Sequence, residues 1–331
     1  MVQELELSVK PLPWHMPIWQ RLLSNYQREH LAHALLLNGV PGIGKVQLAL
    51  AFGQRLLCNT PDNEFACGQC KSCRLFDSGS HPNFFYVKPE EEGKAIVIQQ
   101  VRALNEFATK KAQFEGYRII LIAPAEAMNL ASANALLKTL EEPGSKTLIM
   151  LVSHLSGKLL ATIKSRCQVV DCAQPTHPQA LEWLSVHGHS QDSVESSLVM
   201  SEGAPLKALD ILGQDLIAIR QKVVADLLSL RRKSESVVEV AARWNKATDF
   251  SEILQWLLSV SVDLAKLKVN EVARNTDVVR VLDEVSAGMQ VNSCFQFHDQ
   301  LMVVKRLYLS TANPNKQLLI ERLLFDWVDL A

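Results

Sequence analysis

Short apolar runs alternate with helical patterns over the first half of the chain. The run Ala34–Leu37 leads into a glycine-rich loop, and Val46–Leu57 continues with apolar residues at helical spacing. Runs rich in β-branched residues are typical of buried strands, and strands that alternate with helices favour a mostly parallel sheet covered on both faces. The same patterns predict strands at Phe84–Val87, Arg118–Ile122, Thr147–Val152 and Val169–Val170, and helices at Ile98–Ala108 and Ala131–Glu142.

The second half of the chain has a different pattern, in which strand signals are almost absent. Pro175 and Pro178 mark a linker after the last predicted strand. We therefore predict three domains: an α/β domain over residues 1–170, a small helical domain over 171–210, and an all-helical domain over 211–331. The main helical runs of the last domain are Leu216–Leu230, Phe250–Leu267 and Asn315–Val328.

Composition and charge narrow the class of protein. The 331 residues are 48% hydrophobic and 21% charged, which is ordinary for a globular chain, and the net charge is -1. A near-neutral chain has no overall field that would draw it onto nucleic acid. The N-terminus lacks a signal-peptide pattern, and no apolar run reaches the roughly 18 residues of a membrane span. We therefore predict a cytoplasmic protein, in which disulfides are not expected.

The glycine-rich loop is a phosphate-binding pattern with one altered position. Residues 39–46 read Gly-Val-Pro-Gly-Ile-Gly-Lys-Val, which matches G-x-x-x-x-G-K-[ST] except at the end. In that pattern, backbone N–H groups wrap a phosphate, the lysine neutralises charge and the hydroxyl holds Mg²⁺. A strand precedes the loop and a helix follows it. We therefore interpret Gly39, Gly44 and Lys45 as a degenerate nucleotide-binding loop.

The residues that would hold a metal ion at this loop are replaced. Val46 stands in place of the Ser/Thr and has no oxygen to offer. A P-loop ATPase also needs an acidic residue at the end of a central strand. Ala123 and Pro124 occupy the positions where Asp-Glu is expected, and Glu126 is a displaced and imperfect substitute. We therefore expect no Mg²⁺-dependent ATP hydrolysis from the isolated chain.

Four cysteines lie close together in the sequence: Cys58, Cys67, Cys70 and Cys73. Thiolates spaced in this way can converge on one tetrahedral Zn²⁺ at about 2.3 Å each. Free buried cysteines or an iron–sulfur cluster are the alternatives, but no redox signature accompanies the cluster. We predict a structural zinc site, because four thiolates leave no open position for catalysis. His81 is interpreted as a surplus loop residue.

The triplet Ser165-Arg166-Cys167 lies at a predicted helix-to-strand junction. An arginine there can project beyond the domain surface. Its permanent, forked charge suits a phosphoryl group in a neighbouring subunit. Taken alone, a surface salt bridge is the simpler interpretation of Arg166, and the other motifs decide between the two.

Several motifs together resemble one family. Asn134–Pro143 reads NALLKTLEEP, the arginine triplet follows it, and His33–Leu36 precedes the glycine-rich loop. With the cysteine cluster, this combination closely resembles bacterial clamp-loader subunits, over the whole chain and most strongly over residues 30–170. The gamma/tau motor subunits of that family keep the loop Ser/Thr and the Asp-Glu pair. This chain lacks both and keeps the cysteines and the arginine, so it is similar to the delta-prime type.

The resemblance implies an AAA+ P-loop α/β domain with a zinc module, a helical lid and a C-terminal helical collar that holds a ring-like pentamer together. It implies the gamma/tau motor subunits, the delta subunit, the sliding clamp and primed DNA as partners. In that family delta-prime contributes an arginine in trans to the ATP site of the adjacent motor subunit, and Arg166 matches that position. Any polymerase activity would come from membership of the DNA polymerase III holoenzyme.

The resemblance also points to four lesser positions. Ser153 and His154 fall where motor subunits place a phosphate-sensing polar residue, and Lys207 falls where the lid offers a basic sensor. Arg102 resembles a position that contacts the primer–template backbone, with a solvated helix face as the alternative. Because the net charge is -1, we expect DNA affinity to come from the assembly.

Two other functions are compatible with the residues. The chain could be an active motor subunit that tolerates unusual residues at the metal positions. It could also be a scaffold in which Arg166 has no catalytic part. ATP hydrolysis by the purified chain separates the first from our interpretation, and substitution of Arg166 separates the second.

Overall fold

The computed structural model describes residues 10–62, 64–91, 93–109, 116–213, 216–246, 250–275, 278–286, 288–308 and 314–330. The chain divides into two compact units, Met1–Ala180 and Leu181–Ala331. The first unit contains the sheet, and the second is helical throughout its described part. The second unit spans the greater part of both predicted helical domains, so the three-domain division remains a prediction.

A five-stranded parallel sheet forms the centre of the first unit. Its strand order is β2-β3-β4-β1-β5, so that β1, β3 and β4 lie inside the sheet and β2 and β5 at its edges. All carboxyl ends therefore meet along one edge of the sheet, which is where the sites of open α/β sheets form. The strands are β1 (Ala34–Asn38), β2 (Phe84–Val87), β3 (Arg118–Ile122), β4 (Thr147–Ser153) and β5 (Gln168–Asp171).

Helices cover both faces of this sheet because its strands are apolar on both sides. Ile120 packs with Leu104 and Leu136 on one face. On the other face, the backbone of Gly53 lies so close to Ile119 that an added Cβ would be 3.2 Å from its side chain. The helices of this unit are α1 (Met16–Gln27), α2 (Lys45–Leu57), α3 (Lys71–Asp77), α4 (Ile98–Thr109), α5 (Leu130–Glu141) and α6 (Ala161–Lys164). The next helix, α7 (His177–Ser185), begins in the first unit and ends in the second.

The second unit buries a separate apolar core among its helices. Trp327 donates its indole N–H to Leu227 O at 3.0 Å and lies 5.5 Å from the ring of Phe297. No helix in the described residues is both long and apolar enough to cross a membrane. The helices are α8 (Gln191–Met200), α9 (Pro205–Gly213), α10 (Leu216–Arg231), α11 (Val237–Lys246), α12 (Phe250–Lys268), α13 (Val279–Ser286), α14 (Val291–Tyr308) and α15 (Lys316–Val328).

A parallel α/β domain followed by a helical half confirms the predicted fold class. Each strand predicted from the sequence is present, and the ends differ by one residue at most. The agreement has a physical reason, since strands buried on both faces are continuous apolar runs that stand out from amphipathic helices.

Candidate functional site

The glycine-rich loop lies between the carboxyl end of β1 and the start of α2. Gly39 follows β1, and a Cβ built on it would be 2.5 Å from Cys172 O on the chain after β5. Gly44 caps α2 in the left-handed region, with φ of +85°. Both positions need glycine because other residues would clash or be strained. The loop therefore has the backbone course of a phosphate-binding turn.

Lys45 directs its ammonium group onto the loop itself. Its side chain is buried, and Nζ donates to Gly39 O at 2.7 Å and Val40 O at 2.5 Å. Burial lowers the pKa of Lys45 to about 8. The lysine predicted to neutralise a phosphate thus donates hydrogen bonds to the carbonyl groups of the two loop residues that follow β1.

Two residues near the N-terminus pack against the loop, and sequence reasoning did not find them. Trp14 donates its indole N–H to Ile43 O at 2.8 Å. His15 is fully buried, and its ring nitrogens have no hydrogen-bond partner among the described residues. Burial, and then the charge of Lys45, lower the pKa of His15 to about 4. The two residues form a short turn before α1 that carries no motif to reveal its role.

His15 is expected to destabilise the protein as the pH falls. Its folded-state pKa of about 4 lies below the ordinary value of 6.5, so the unfolded chain takes up the proton first. Stability is therefore full above pH 6.5 and falls as the pH drops towards 4. We expect His15→Gln to remove about 2 kcal/mol of the difference in unfolding free energy between pH 7 and pH 4.5. Denaturant unfolding at pH 7 and pH 4.5 measures it.

The matched control is His30→Gln, which changes an exposed histidine of the same unit. It should leave the difference between the two pH values unchanged. An equal pH dependence in His15→Gln and in the parent protein would show that the imidazole of His15 does not set it.

The metal positions of a nucleotide site carry side chains without oxygen atoms. Val46 lies half-buried in the first turn of α2, and Ala123 and Pro124 follow β3 at the same edge of the sheet. Glu126, two residues further on, accepts a hydrogen bond at 2.9 Å from the backbone N–H of His154. One oxygen of its carboxylate, Oε1, is thus engaged by the chain that follows β4, whereas the buried Oε2 has no hydrogen-bond partner among the described residues.

Two polar residues lie at the carboxyl end of β4, where Ser153 is the last residue of the strand and His154 follows it. Ser153 is buried, and its hydroxyl accepts a hydrogen bond from the backbone N–H of Leu155 at 3.2 Å. Burial, with a further contribution from the charge of Lys45, lowers the pKa of His154. The fold brings Lys45, Glu126 and His154 near one another, a grouping that their separation in sequence does not reveal.

The four predicted cysteines meet in space. Their sulfur atoms all lie within 4.8 Å of one another. Cys58 Sγ is 3.5 Å from Cys67 Sγ and 3.9 Å from Cys70 Sγ, and Cys67 Sγ is 4.0 Å from Cys73 Sγ. A tetrahedral ion with bonds of about 2.3 Å places its ligands roughly 3.8 Å apart. The cluster therefore has the dimensions and donor set of a metal site.

The local backbone arranges these sulfur atoms. The N–H of Cys70 donates to Cys67 Sγ and the N–H of Cys73 donates to Cys70 Sγ, each at 3.4 Å, so that Cys70 caps the start of α3. Gly68 adopts a positive φ of +69° between ligands. A hydrogen bond from the Thr60 hydroxyl, helped by backbone N–H groups, lowers the pKa of Cys67 to about 6. Such donors favour the thiolate form of Cys67, whereas burial raises the pKa of Cys58 and Cys73.

His81 belongs to a hydrogen-bond chain beside the cluster. The N–H of Asn83 donates to His81 Nδ1 at 3.0 Å, and His81 Nε2 lies 2.8 Å from the Ser72 hydroxyl. That hydroxyl in turn donates to Leu57 O at 2.5 Å. A ring whose Nδ1 accepts and whose Nε2 donates is neutral, in agreement with the lowering of its pKa by burial. Both nitrogens of His81 are engaged by this chain.

Arg166 lies between α6 and β5 and is bonded to its own domain. Nε and Nη2 donate to Glu141 Oε1 at 3.0 Å and 2.5 Å. Nη1 donates to Thr162 O at 2.8 Å. The arginine side chain remains 33% exposed and that of Glu141 50%. The guanidinium is therefore accessible and paired at the same time.

The comparisons with known proteins agree over both units. The family described as DNA polymerase III, delta subunit, matches residues 14–176, and the C-terminal family of the same name matches 214–329. The DNA polymerase III subunit delta' of Pseudomonas aeruginosa is 35% identical over 96% of this chain and 97% of its own length. The chain belongs to the delta' subunits of DNA polymerase III.

Other delta' subunits are similar over nearly the same span. That of Escherichia coli is 30% identical over 94% of this chain and 93% of its own length. A solved structure of a DNA polymerase III gamma subunit-related protein from Thermotoga maritima has a TM-score of 0.45 and 16% identity over 93% of this chain and 99% of that chain. The delta' relatives and the two family matches confirm the resemblance inferred from the motifs at the level of the delta' family.

Two further predicted positions of this delta' chain lie on different units. Arg102 is exposed on α4 of the first unit. Lys207 lies on α9 of the second unit, with Nζ 3.9 Å from a carboxylate oxygen of Glu252 on α12. Arg102 is thus accessible to a partner, and Lys207 has an acidic neighbour within its own unit.

Proposed function

We propose that this delta' chain is a non-hydrolysing subunit of the bacterial clamp loader, which helps to place the sliding clamp on primed DNA. It acts by its position in the assembly and by donating Arg166 to the ATP site of the adjacent motor subunit. The observation that carries the proposal is the combination of an intact loop backbone with metal positions that lack oxygen. Such a domain keeps the shape of a nucleotide-binding subunit without its Mg²⁺ chemistry.

The loss of hydrolysis is supported from both sides of the site. Val46 removes the hydroxyl that would hold Mg²⁺, and Ala123 and Pro124 remove the acidic residues. The carboxylate of Glu126 accepts a hydrogen bond from His154. Lys45 bonds to loop carbonyls and acts as a structural residue of the loop. The proposal assigns no phosphate-sensing role to Ser153, His154 or Lys207.

The role of Arg166 is supported by its accessibility. It follows the short helix α6 at the domain surface, and one third of its side chain is exposed. Arginine is always charged and presents parallel donors, which suits the transferring phosphoryl group of a neighbour.

We propose that the cysteine cluster holds a structural Zn²⁺. The four thiol sulfurs fit a tetrahedral ion in number and spacing. When bound, zinc would cross-link the end of α2 to α3. The chain supplies the end of α2, the N–H donors and the helix cap that hold the ligands in place. Four protein ligands leave the ion without a substrate position.

Partner contacts are proposed for both units. On the second unit, α14 exposes Phe295 and Met302 seven residues apart, and α15 exposes Leu318 and Phe325 at the same spacing. Apolar residues at i and i+7 share one helix face and suit a helical collar contact with the motor and delta subunits. On the first unit, Arg102 is proposed to contact the backbone of primed DNA in the cytoplasmic assembly.

The test is ATP hydrolysis by the purified chain and by its Lys45→Ala variant, beside an active motor subunit as positive control. We expect both preparations to show only the background rate. Turnover that Lys45→Ala abolishes would identify the chain as an active motor subunit and overturn the proposal. Equal residual turnover in both would mark a contaminating ATPase, which a further chromatographic step would separate from the chain.

A further inference from the structure

The arginine triplet and the NALLKTLEEP motif meet in the folded chain. They lie 25 residues apart in sequence, yet Arg166 donates from Nε and Nη2 to the same oxygen of Glu141. Thr162 O takes a third donor from Nη1. The guanidinium is thus held along the edge formed by Nε and Nη2, and its charge is balanced by a carboxylate of its own subunit.

The rest of the motif anchors Glu141. Leu136 and Leu140 are buried against the sheet. The Thr139 hydroxyl donates to Asn105 of α4 at 2.7 Å, and the ring of His33 lies 3.0 Å from Leu140 O. The last turn of α5 is therefore fixed to its neighbours. Glu141 is its final residue and stands at a set place on the surface.

A glutamate at this place opposes the helix dipole. The carboxyl end of a helix carries partial negative charge, which disfavours an acidic side chain and favours a nearby cation. Arg166 supplies that cation in the isolated chain. A phosphoryl group in a neighbouring subunit needs the same charge. Glu141 and the neighbour's phosphate therefore compete for one guanidinium.

We propose that Glu141 is a positioning residue that holds Arg166 against its own subunit and releases it to the phosphate of the adjacent ATP site. The proposal rests on the proposed function of Arg166. An ion pair exposed to this degree is weak, because water and salt screen it. The multiply charged phosphate can therefore displace the carboxylate once the neighbouring subunit carries ATP. Glu141 therefore weakens the binding of Arg166 to the phosphate of the adjacent site without preventing it.

The test is Glu141→Gln in the assembled loader, with pre-steady-state ATP hydrolysis measured in the presence of clamp and primed DNA. The amide keeps the size of the side chain and removes its charge. We expect a rise of about two- to five-fold, which corresponds to the strength of an exposed ion pair. Glu142→Gln makes the same charge change one residue away and should leave the rate unchanged. An unchanged or lower rate in Glu141→Gln would overturn the proposal.

A double variant separates this proposal from the proposed function. Adding Glu141→Gln to Arg166→Ala should have no effect, since no guanidinium remains to release. A rise that persists without Arg166 would overturn the role of Glu141. If Arg166→Ala alone leaves hydrolysis intact, the proposed function fails. If Arg166→Ala slows hydrolysis and Glu141→Gln changes nothing, only the positioning role fails. Unfolding midpoints of each variant check that the fold is kept.

Discussion

Replacing Arg166 with alanine is expected to slow ATP hydrolysis at the adjacent motor site by about 10³- to 10⁵-fold, the range found for arginine fingers. The guanidinium would stabilise charge that develops on the phosphoryl group in the transition state. No neighbouring side chain of the triplet can replace it, because Ser165 and Cys167 are uncharged at neutral pH. The measurement is clamp-stimulated ATP hydrolysis by the loader assembled with the variant chain.

Two control variants test whether the effect depends on the parallel N–H donors of the Arg166 guanidinium. Arg166→Lys keeps the charge and loses the parallel donors, so we expect intermediate activity. Lys164→Ala removes a cation two residues away and should behave as the parent chain. A parent-like rate for Arg166→Ala, in a loader whose assembly is complete, would favour a scaffold role for the subunit.

Loss of the cysteine-bound metal is expected to have the second largest effect. We expect about one equivalent of zinc per chain, held by the four thiolates. Cys73 is the buried member of the cluster. Cys73→Ser should release the metal and lower the free energy of unfolding of the first unit by more than about 4 kcal/mol, in the range of metal-loss substitutions. Atomic emission for zinc and denaturant unfolding are the measurements.

The control for the metal is Cys294→Ala, which alters a buried cysteine outside the cluster. Its metal content should match that of the parent chain, although packing in the second unit weakens. A parent preparation with less than about half an equivalent of zinc, purified without chelator, would contradict the assignment made from the tetrahedral donor set.

The fold could be predicted from the sequence where local signals are strong. Within Arg118–Ile122, the four residues after the arginine are a continuous apolar run, and such runs form strands buried on both faces. The cysteines could be predicted as one site because their close spacing in the sequence lets four sulfur atoms bind the same tetrahedral ion. The contact of Trp14 with Ile43 could not, because it joins segments 29 residues apart and the segment around Trp14 carries no motif.

The sequence by itself determined that the domain is related to P-loop nucleotide-binding domains and that the side chains which would bind Mg²⁺ are missing. The metal ligands are lost in any fold, because the side chains of Val46, Ala123 and Pro124 contain no oxygen atom. The motifs were also sufficient to indicate the family.

Only the tertiary structure decided what the remaining polar groups contact. Lys45 turns onto its own loop, and Arg166 is paired with Glu141. Hydrogen bonds and ion pairs depend on distances of about 3 Å, and the spacing of residues along a chain does not determine distances between separate elements. The partner of each charge is therefore a property of the packed sheet and its helices.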